Sequence, residues 1–150
     1  MNVFPIAPAA SRYLWLLIPV AALVLGALLL LVTSVRGARG SRFEITADGL
    51  QLAGDWYGRL VPKTQLRVEL ARRVDFTREG ALRPRRRRVG TALPGYQAGW
   101  FQLESGEKAL LYLTDRTRAV YVPTTAGYSL LLSPADPDAF LARLRSAFGS

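Results

Sequence analysis

The sequence contains no cysteine and no histidine. Without cysteine the chain has no disulfide, no thiolate zinc site and no cysteine nucleophile. Without histidine it lacks the commonest general base and the commonest metal ligand. We therefore expect a non-enzymatic protein, with no catalytic residue, no cofactor-binding residue and no metal ligand.

Acidic residues are also scarce, with 11 Asp and Glu against 20 Lys and Arg, which gives a formal net charge of +9. Most of these acids fall at predicted turns or helix caps, where carboxylates bond to backbone amides. Asp136 and Asp138 are two residues apart, and a helix start explains both. Gly95 and Gly99 match no phosphate-binding loop, and a tight turn or close strand packing is the simpler interpretation.

Charge is absent from residues 13–35, which form a Leu-rich run of 23 residues. A helix of this length spans roughly 35 Å, enough for a bilayer core of about 30 Å. We predict a short N-terminal tail at 1–12 and a transmembrane helix at 13–35, with Tyr13 and Trp15 at the headgroup level. A cleaved signal peptide and a buried core helix are the alternatives. A signal peptide would have a shorter apolar stretch and a cleavage site of small residues.

The residues that flank this segment predict its orientation. Arg12 precedes it, whereas Arg36, Arg39 and Arg42 follow it as a juxtamembrane basic group. The excess of cations after the segment places the C-terminal domain in the cytoplasm by the positive-inside rule. The periplasmic side is the alternative.

The positive charge is concentrated in one part of the chain. Residues 36–88 hold 14 cations and 6 acids, whereas residues 89–150 hold 5 of each. The cations are densest at Arg83, Arg85, Arg86, Arg87 and Arg88. One interpretation is a solvated loop or edge strand, and another is contact with anionic lipid headgroups, worth about 1 kcal/mol per cation near the surface. Nucleic acid is disfavoured because aromatic residues are not interleaved with these cations.

After a linker at 36–41, short segments with turn signals predict a mainly β domain over 42–148. The predicted strands lie at 42–46, 50–53, 55–60, 66–76, 96–103, 108–113, 119–122 and 128–132. Segments of this kind favour an antiparallel β-barrel or sandwich of about seven strands.

The last segment changes its hydrophobic period to that of a helix. Asp136 is the predicted N-cap and Pro137 the first helical residue. Apolar residues then follow in one stripe at Phe140, Leu141, Leu144 and Phe148. We expect a C-terminal α-helix that packs on the sheet and closes one open end of a barrel.

Several short strings resemble the bacterial PH (pleckstrin-homology-like) domain families of membrane-anchored proteins. They are Phe4-Pro5-Ile6-Ala7-Pro8, Asp48-Gly49-Leu50, Trp56-Tyr57-Gly58, Pro62, Gly95-Tyr96, Gly99-Trp100-Phe101, Tyr112-Leu113-Thr114-Asp115, Val122-Pro123-Thr124, Ser133-Pro134, Asp136-Pro137, Phe140 and Leu144. The similarity covers residues 42–148. It implies a PH-like barrel, a single-pass protein of the bacterial inner membrane, and a binding or scaffolding role.

The first hairpin departs from PH domains that bind phosphoinositides. Those domains present Lys and Arg in this loop, whereas residues 46–49 here carry an acid and no cation. We therefore expect anionic lipid to contact the Arg run, and a protein partner or a second copy of the chain to be the other class of partner. The alternative function is a structural subunit of a membrane complex, assembled through the transmembrane helix or a barrel edge.

Overall fold

A computed structural model describes residues 14–54 and 56–149 of the chain. The predicted tail at 1–12, Tyr13 and Asp55 lie outside the described residues. The chain divides into two compact units that meet between Val35 and Arg36.

Helix α1 runs from Leu14 to Gly40, with Pro19 inside it, and most of it belongs to the first unit. Its segment Trp15–Thr33 has a mean hydropathy of 2.8, and none of it is buried inside the protein. By length and composition this helix can cross a membrane, as the sequence predicts. The helix continues as far as Gly40, through most of the segment predicted as a linker.

The second unit is a β-sandwich with a C-terminal helix. Its strands are β1 (Arg42–Ile45), β2 (Gly49–Ala53), β3 (Arg59–Pro62), β4 (Arg72–Val74), β5 (Pro84–Leu93), β6 (Tyr96–Leu103), β7 (Lys108–Leu113), β8 (Ala119–Pro123) and β9 (Ser129–Leu132). One sheet has the order β1-β2-β3, and the other has the order β4-β8-β9-β7-β6-β5. All neighbouring strands are antiparallel except β7 and β9, which are parallel.

The predicted fold class is confirmed: the domain is mainly β, follows an apolar helix and ends in a helix. Two details differ from the prediction. The described residues form nine strands rather than about seven, and the two sheets do not join into a closed barrel. Closure fails because β3 pairs only with β2 and β5 pairs only with β6, so each sheet keeps two edges.

The strand predicted over 66–76 is wrong for most of its length. One 3-10 turn, Lys63–Gln65, ends just before the predicted strand, and a second, Val68–Leu70, lies inside it. Within the predicted range only β4 forms a strand. Val68, Ala71 and Val74 are buried at a spacing of three residues, whereas Leu70 is 48% exposed. The predicted alternation therefore fails only at Leu70 and Ala71, where the 3-10 turn ends, and it holds again at Val74 and Phe76, which are both buried.

Helix α2 (Pro137–Phe148) forms as predicted, with the Asp136 side chain accepting hydrogen bonds from the amides of Asp138 and Ala139. Leu141 and Leu144 are buried and Phe140 is partly buried. They join a main core formed by both sheets. Helix α2 therefore packs along the sandwich, on β1, β4 and β8, rather than closing a barrel.

A second core lies on the other face of the six-stranded sheet. Leu110 and Leu130 belong to the main core, whereas their chain neighbours Leu111 and Leu131 belong to the second. This is the alternation expected of strands buried on both faces. The segment after β4 covers the second face with Phe76 and Leu82.

Candidate functional site

The Arg run lies on β5, which is an outer strand of the six-stranded sheet. Arg85, Arg86, Arg87 and Arg88 are all exposed. The pairing of β5 with β6 shifts register between Pro84 and Arg86 and again between Arg87 and Val89. Bulges and charged side chains keep an edge strand from pairing with another chain. The strand therefore presents cations along an edge that resists further β-pairing.

A pair of glycines brings β5 close to β6. Gly90 and Gly99 are directly opposite, and a Cβ added at Gly99 would lie 2.4 Å from the Val89 carbonyl oxygen and 2.5 Å from the Gly90 Cα. Gly99 also has φ +119°, which side-chain-bearing residues rarely adopt. Close strand packing is therefore the role of Gly99, and the positive φ of Gly95 serves the β5–β6 turn, as the sequence suggests.

Arg83 is held apart from the other four arginines of the run. Its Nε donates to the Phe76 carbonyl oxygen, and a terminal guanidinium nitrogen donates to the Thr77 carbonyl at 3.0 Å. These bonds tie the segment covering the second core to the start of β5. The geometry gives Arg83 a structural contact, and its predicted contact with lipid stays a prediction.

The remaining four arginines differ in their partners and in the face they occupy. Arg85 lies 3.9 Å from a Glu104 carboxylate oxygen, with 69% of its side chain exposed. No carboxylate in the described parts of the chain forms an ion pair with Arg86, Arg87 or Arg88. Arg86 is opposite Gln102 and Arg87 is opposite Phe101, so the two arginines project from opposite faces of the sheet.

Trp100 lies at the edge of the main core and is surrounded by polar and aromatic groups. The Arg59 guanidinium carbon is 4.9 Å from the centre of its ring, and the Lys108 Nζ is 4.2 Å from it. The Tyr128 ring packs edge-on at 5.0 Å between centroids. We call these four residues the Trp100 cluster. The sequence pattern does not predict this cluster, since its cations are isolated in sequence.

The juxtamembrane cations are described only in part. Arg36 is an exposed residue of α1, and Arg42 is the exposed first residue of β1, opposite Ala53. The side chain of Arg39 lies outside the described residues. The first hairpin, in contrast, ends in an exposed Asp48, and the Thr46 side chain donates to the Gly49 carbonyl at 3.0 Å to close the turn.

A polar network on the second face ties three strands together. The Ser129 hydroxyl donates to the Glu107 carboxylate, and the Tyr121 hydroxyl lies 3.2 Å from both carboxylate oxygens. Burial raises the pKa of Tyr121, so this hydroxyl stays protonated and can donate. The network joins the residue that precedes β7 to β8 and β9.

An open cleft of about 690 Å³ lies between the β5–β6 turn and the β7–β8 turn. Gln97 and Asp115 line it, and the Gln97 Oε1 is a buried atom with no hydrogen-bond partner among the described residues. Hydrogen bonds from Thr117 and Arg118 lower the pKa of Asp115 to about 2, so it is ionised at neutral pH. These bonds lie within the turn, so the role of the Asp115 carboxylate is to stabilise that turn.

Comparisons with known proteins agree with this architecture. The model of a family described as Bacterial PH domain matches residues 74–148, which is half of the 150-residue chain. The match begins in β4 and ends in α2, and it supports a binding or scaffolding module. No curated protein and no solved structure matches the chain. The chain therefore belongs to the bacterial PH domain family.

Proposed function

We propose that this protein is anchored by α1 in the bacterial inner membrane and that its PH domain engages anionic lipid headgroups through Arg85, Arg86, Arg87 and Arg88. The observation that carries this proposal is the state of β5. Four consecutive arginines are exposed on one edge strand, and three of them have no ion pair with a carboxylate within residues 14–54 and 56–149.

The expected energies are sufficient for a tethered domain. A cation near an anionic leaflet contributes about 1 kcal/mol. The entropy of bringing the domain to the membrane is already offset by its anchor, so even a small surface interaction orients it. Arg86, Arg87 and Arg88, which have no ion pair within the described residues, therefore favour one orientation strongly over the others.

The juxtamembrane arginines favour one side of the membrane for the domain. Arg36, Arg39 and Arg42 come directly after the apolar segment, which favours a cytoplasmic domain by the positive-inside rule. The cytoplasmic leaflet is the one with the negative surface potential. The proposed orientation and the proposed ligand are therefore consistent with each other.

The test uses the full chain in lipid nanodiscs of phosphatidylcholine, with or without phosphatidylglycerol. Because the chain has no cysteine, Ser105→Cys gives a single labelling site on the exposed β6–β7 hairpin. Quenching of a fluorophore there by a headgroup-attached spin label reports the ratio of docked to free domains. We expect phosphatidylglycerol to raise this ratio, and R86Q/R87Q/R88Q to lower it by about 100-fold.

The matched control removes three charges elsewhere, in R78Q/R116Q/R143Q. These residues are exposed and lie outside β5. A change of no more than about threefold is expected for the control. Equal losses in both triple variants, or no response to phosphatidylglycerol, would contradict the proposal.

The second candidate function is a structural subunit of a membrane complex. Ala22 and Gly26 of α1 favour it, because small residues four positions apart let two transmembrane helices approach closely. Assembly through the sheet is less favoured at β5, whose bulges and arginines oppose edge pairing. An oligomer of wild-type protein in nanodiscs that is unchanged by R86Q/R87Q/R88Q and accompanied by no lipid response would favour this candidate.

A further inference from the structure

The Trp100 cluster combines two cations with an aromatic surface at one end of the sandwich. Arg59 begins β3, Lys108 begins β7, and Tyr128 directly precedes β9. Because β7 and β9 are parallel, Lys108 and Tyr128 lie at the same end of their sheet. Arg59 belongs to the three-stranded sheet, and its contact with Trp100 shows that it lies at this end as well.

Neither cation of the cluster is neutralised within the described chain. No carboxylate of residues 14–54 or 56–149 forms an ion pair with Arg59 or Lys108, and both side chains are exposed. The ring instead restrains them through cation–π contacts. Both exposed side chains carry N–H donors that an anion can accept from.

The strand registers extend this cationic surface to β5. Arg86 is opposite Gln102, and Gln102 is opposite Lys108, so the three side chains form one row across β5, β6 and β7. In the next row Val89, which is 58% exposed, is opposite Trp100. Directly opposed residues share a face, so Arg86 and Val89 border the Trp100 cluster while Arg87 lies on the other face.

We propose that the Trp100 cluster is a binding site for the phosphate of an anionic phospholipid headgroup, with Arg59 and Lys108 as its two ligands. This inference rests on the proposed function and adds, to the arginines along the β5 edge, the sheet face that carries Arg86. Two cations held by one ring can share one phosphate through charge-assisted hydrogen bonds. The site differs from the first-hairpin loop, because that loop adjoins the end of β3 whereas Arg59 is at its start.

The chain around the site favours lipid as the source of the phosphate. Trp56, three residues before Arg59, is 98% exposed, and an exposed indole is typical of residues at the headgroup level. Gly40 and Ser41, through which the chain enters the domain, lie against Gly54 at the start of the same loop. Gly40 follows Thr33, the last residue of the apolar segment, by only seven positions, so the tether to the membrane is short.

The experiment uses the full chain, labelled at Ser105→Cys in nanodiscs that contain phosphatidylglycerol. We expect R59Q/K108Q to lower the docked-to-free ratio by about 25-fold, since each cation contributes about fivefold. The charge-matched control R116Q/R143Q should change it by less than about twofold. Lys108→Arg keeps the charge and should retain docking within about twofold. Lys108→Gln alone, at an exposed position, gives a variant whose folding is not in question.

The outcomes separate this site from the broader proposal. If R59Q/K108Q and Lys108→Gln behave like the control while R86Q/R87Q/R88Q loses docking, the cluster is not the phosphate site and the β5 proposal stands. If neither set loses docking, both proposals are overturned. Glycerol 1-phosphate added to phosphatidylcholine discs distinguishes the sources. If glycerol 1-phosphate raises the docked-to-free ratio fully and phosphatidylglycerol does not raise it, the cluster binds free phosphate. That result would overturn the assignment to lipid.

Discussion

The two edges of the six-stranded sheet use arginine in opposite ways. At the β4 edge, Arg72 pairs with Glu79 at 2.7 Å and Arg73 pairs with Asp138 at 2.8 Å. Arg145 of α2 donates to the Ala71 carbonyl at 2.8 Å, just before the same strand. At the β5 edge the nearest acid lies 3.9 Å from Arg85, and the arginines that follow it have no ion pair with a described carboxylate.

This difference shows that the net charge of the chain does not tell which of its cations are paired within the fold. The hydrogen bond that Arg72 donates to Glu79 lowers the pKa of Glu79 and raises the pKa of Arg72, so each group holds the other in its charged form. Arginines that are paired in this way make contacts within the fold. The arginines of β5 and the two cations of the Trp100 cluster, in contrast, are exposed and present positive charge to solvent.

The largest expected effect on stability comes from the close packing of β5 against β6. Gly99→Ala places a Cβ against the backbone of Val89 and Gly90 and strains a backbone at φ +119°. We expect it to lower the free energy of unfolding by about 3 kcal/mol. Hydrogen exchange should show faster exchange in β5 and β6 while β4 keeps its protection.

The matched control is Gly95→Ala, at φ +78° in open space. It carries strain without a clash, and we expect a cost of about 1 kcal/mol. Equal costs for the two substitutions would contradict the close approach of β5 to β6.

The next effect tests whether Arg83 belongs to the folding contacts. Arg83→Gln removes the donors to the Phe76 and Thr77 carbonyls, and we expect the free energy of unfolding to fall by about 1.5 kcal/mol. Arg85→Gln, two residues away, should cost less than about 0.5 kcal/mol. Chemical denaturation measures both. A stable Arg83→Gln variant with weakened docking would place Arg83 with the lipid-binding arginines instead.

A smaller effect compares the two edges directly. Arg73→Gln breaks an exposed ion pair with Asp138 of α2 and should lower the free energy of unfolding by about 0.5 kcal/mol. Arg86→Gln should leave stability unchanged or raise it slightly, because it relieves repulsion within the run. Thermal unfolding at low ionic strength measures the stability of both variants. The account fails here if Arg86→Gln is the more destabilising of the two.

The smallest effect is the acid sensitivity of the turn that leads into β8. The pKa of Asp115 falls from 3.8 to about 2 in the fold, because Thr117 and Arg118 bond to its carboxylate. A lowered pKa stabilises the fold above the unfolded value, and this contribution is lost as the pH falls from 3.8 through 2. Asp115→Asn should therefore flatten the decline of Tm over this range, and an unchanged slope would argue against these bonds.

The sequence predicts those parts of the fold whose local signals agree with their burial. Strands β6 and β7 match their predicted bounds, and α2 begins at its predicted cap, because alternation and capping are local properties. Strand β5 carries no such signal: it is exposed on both sides and is specified by its partner β6. The Trp100 cluster is unpredictable for a related reason, since Arg59, Trp100 and Lys108 meet only through the tertiary fold.

The most direct test of the central claim compares the depth of the two edges at the membrane. Single nitroxide labels at Val89→Cys on β5 and Ala142→Cys on α2, which packs at the β4 edge, are placed in full-length protein in phosphatidylglycerol-containing nanodiscs. Their accessibility to a headgroup-bound paramagnetic reagent is then measured. The account predicts that the Val89 position lies at the headgroups and the Ala142 position in solvent. Equal accessibility at both positions, or the reverse order, would contradict it.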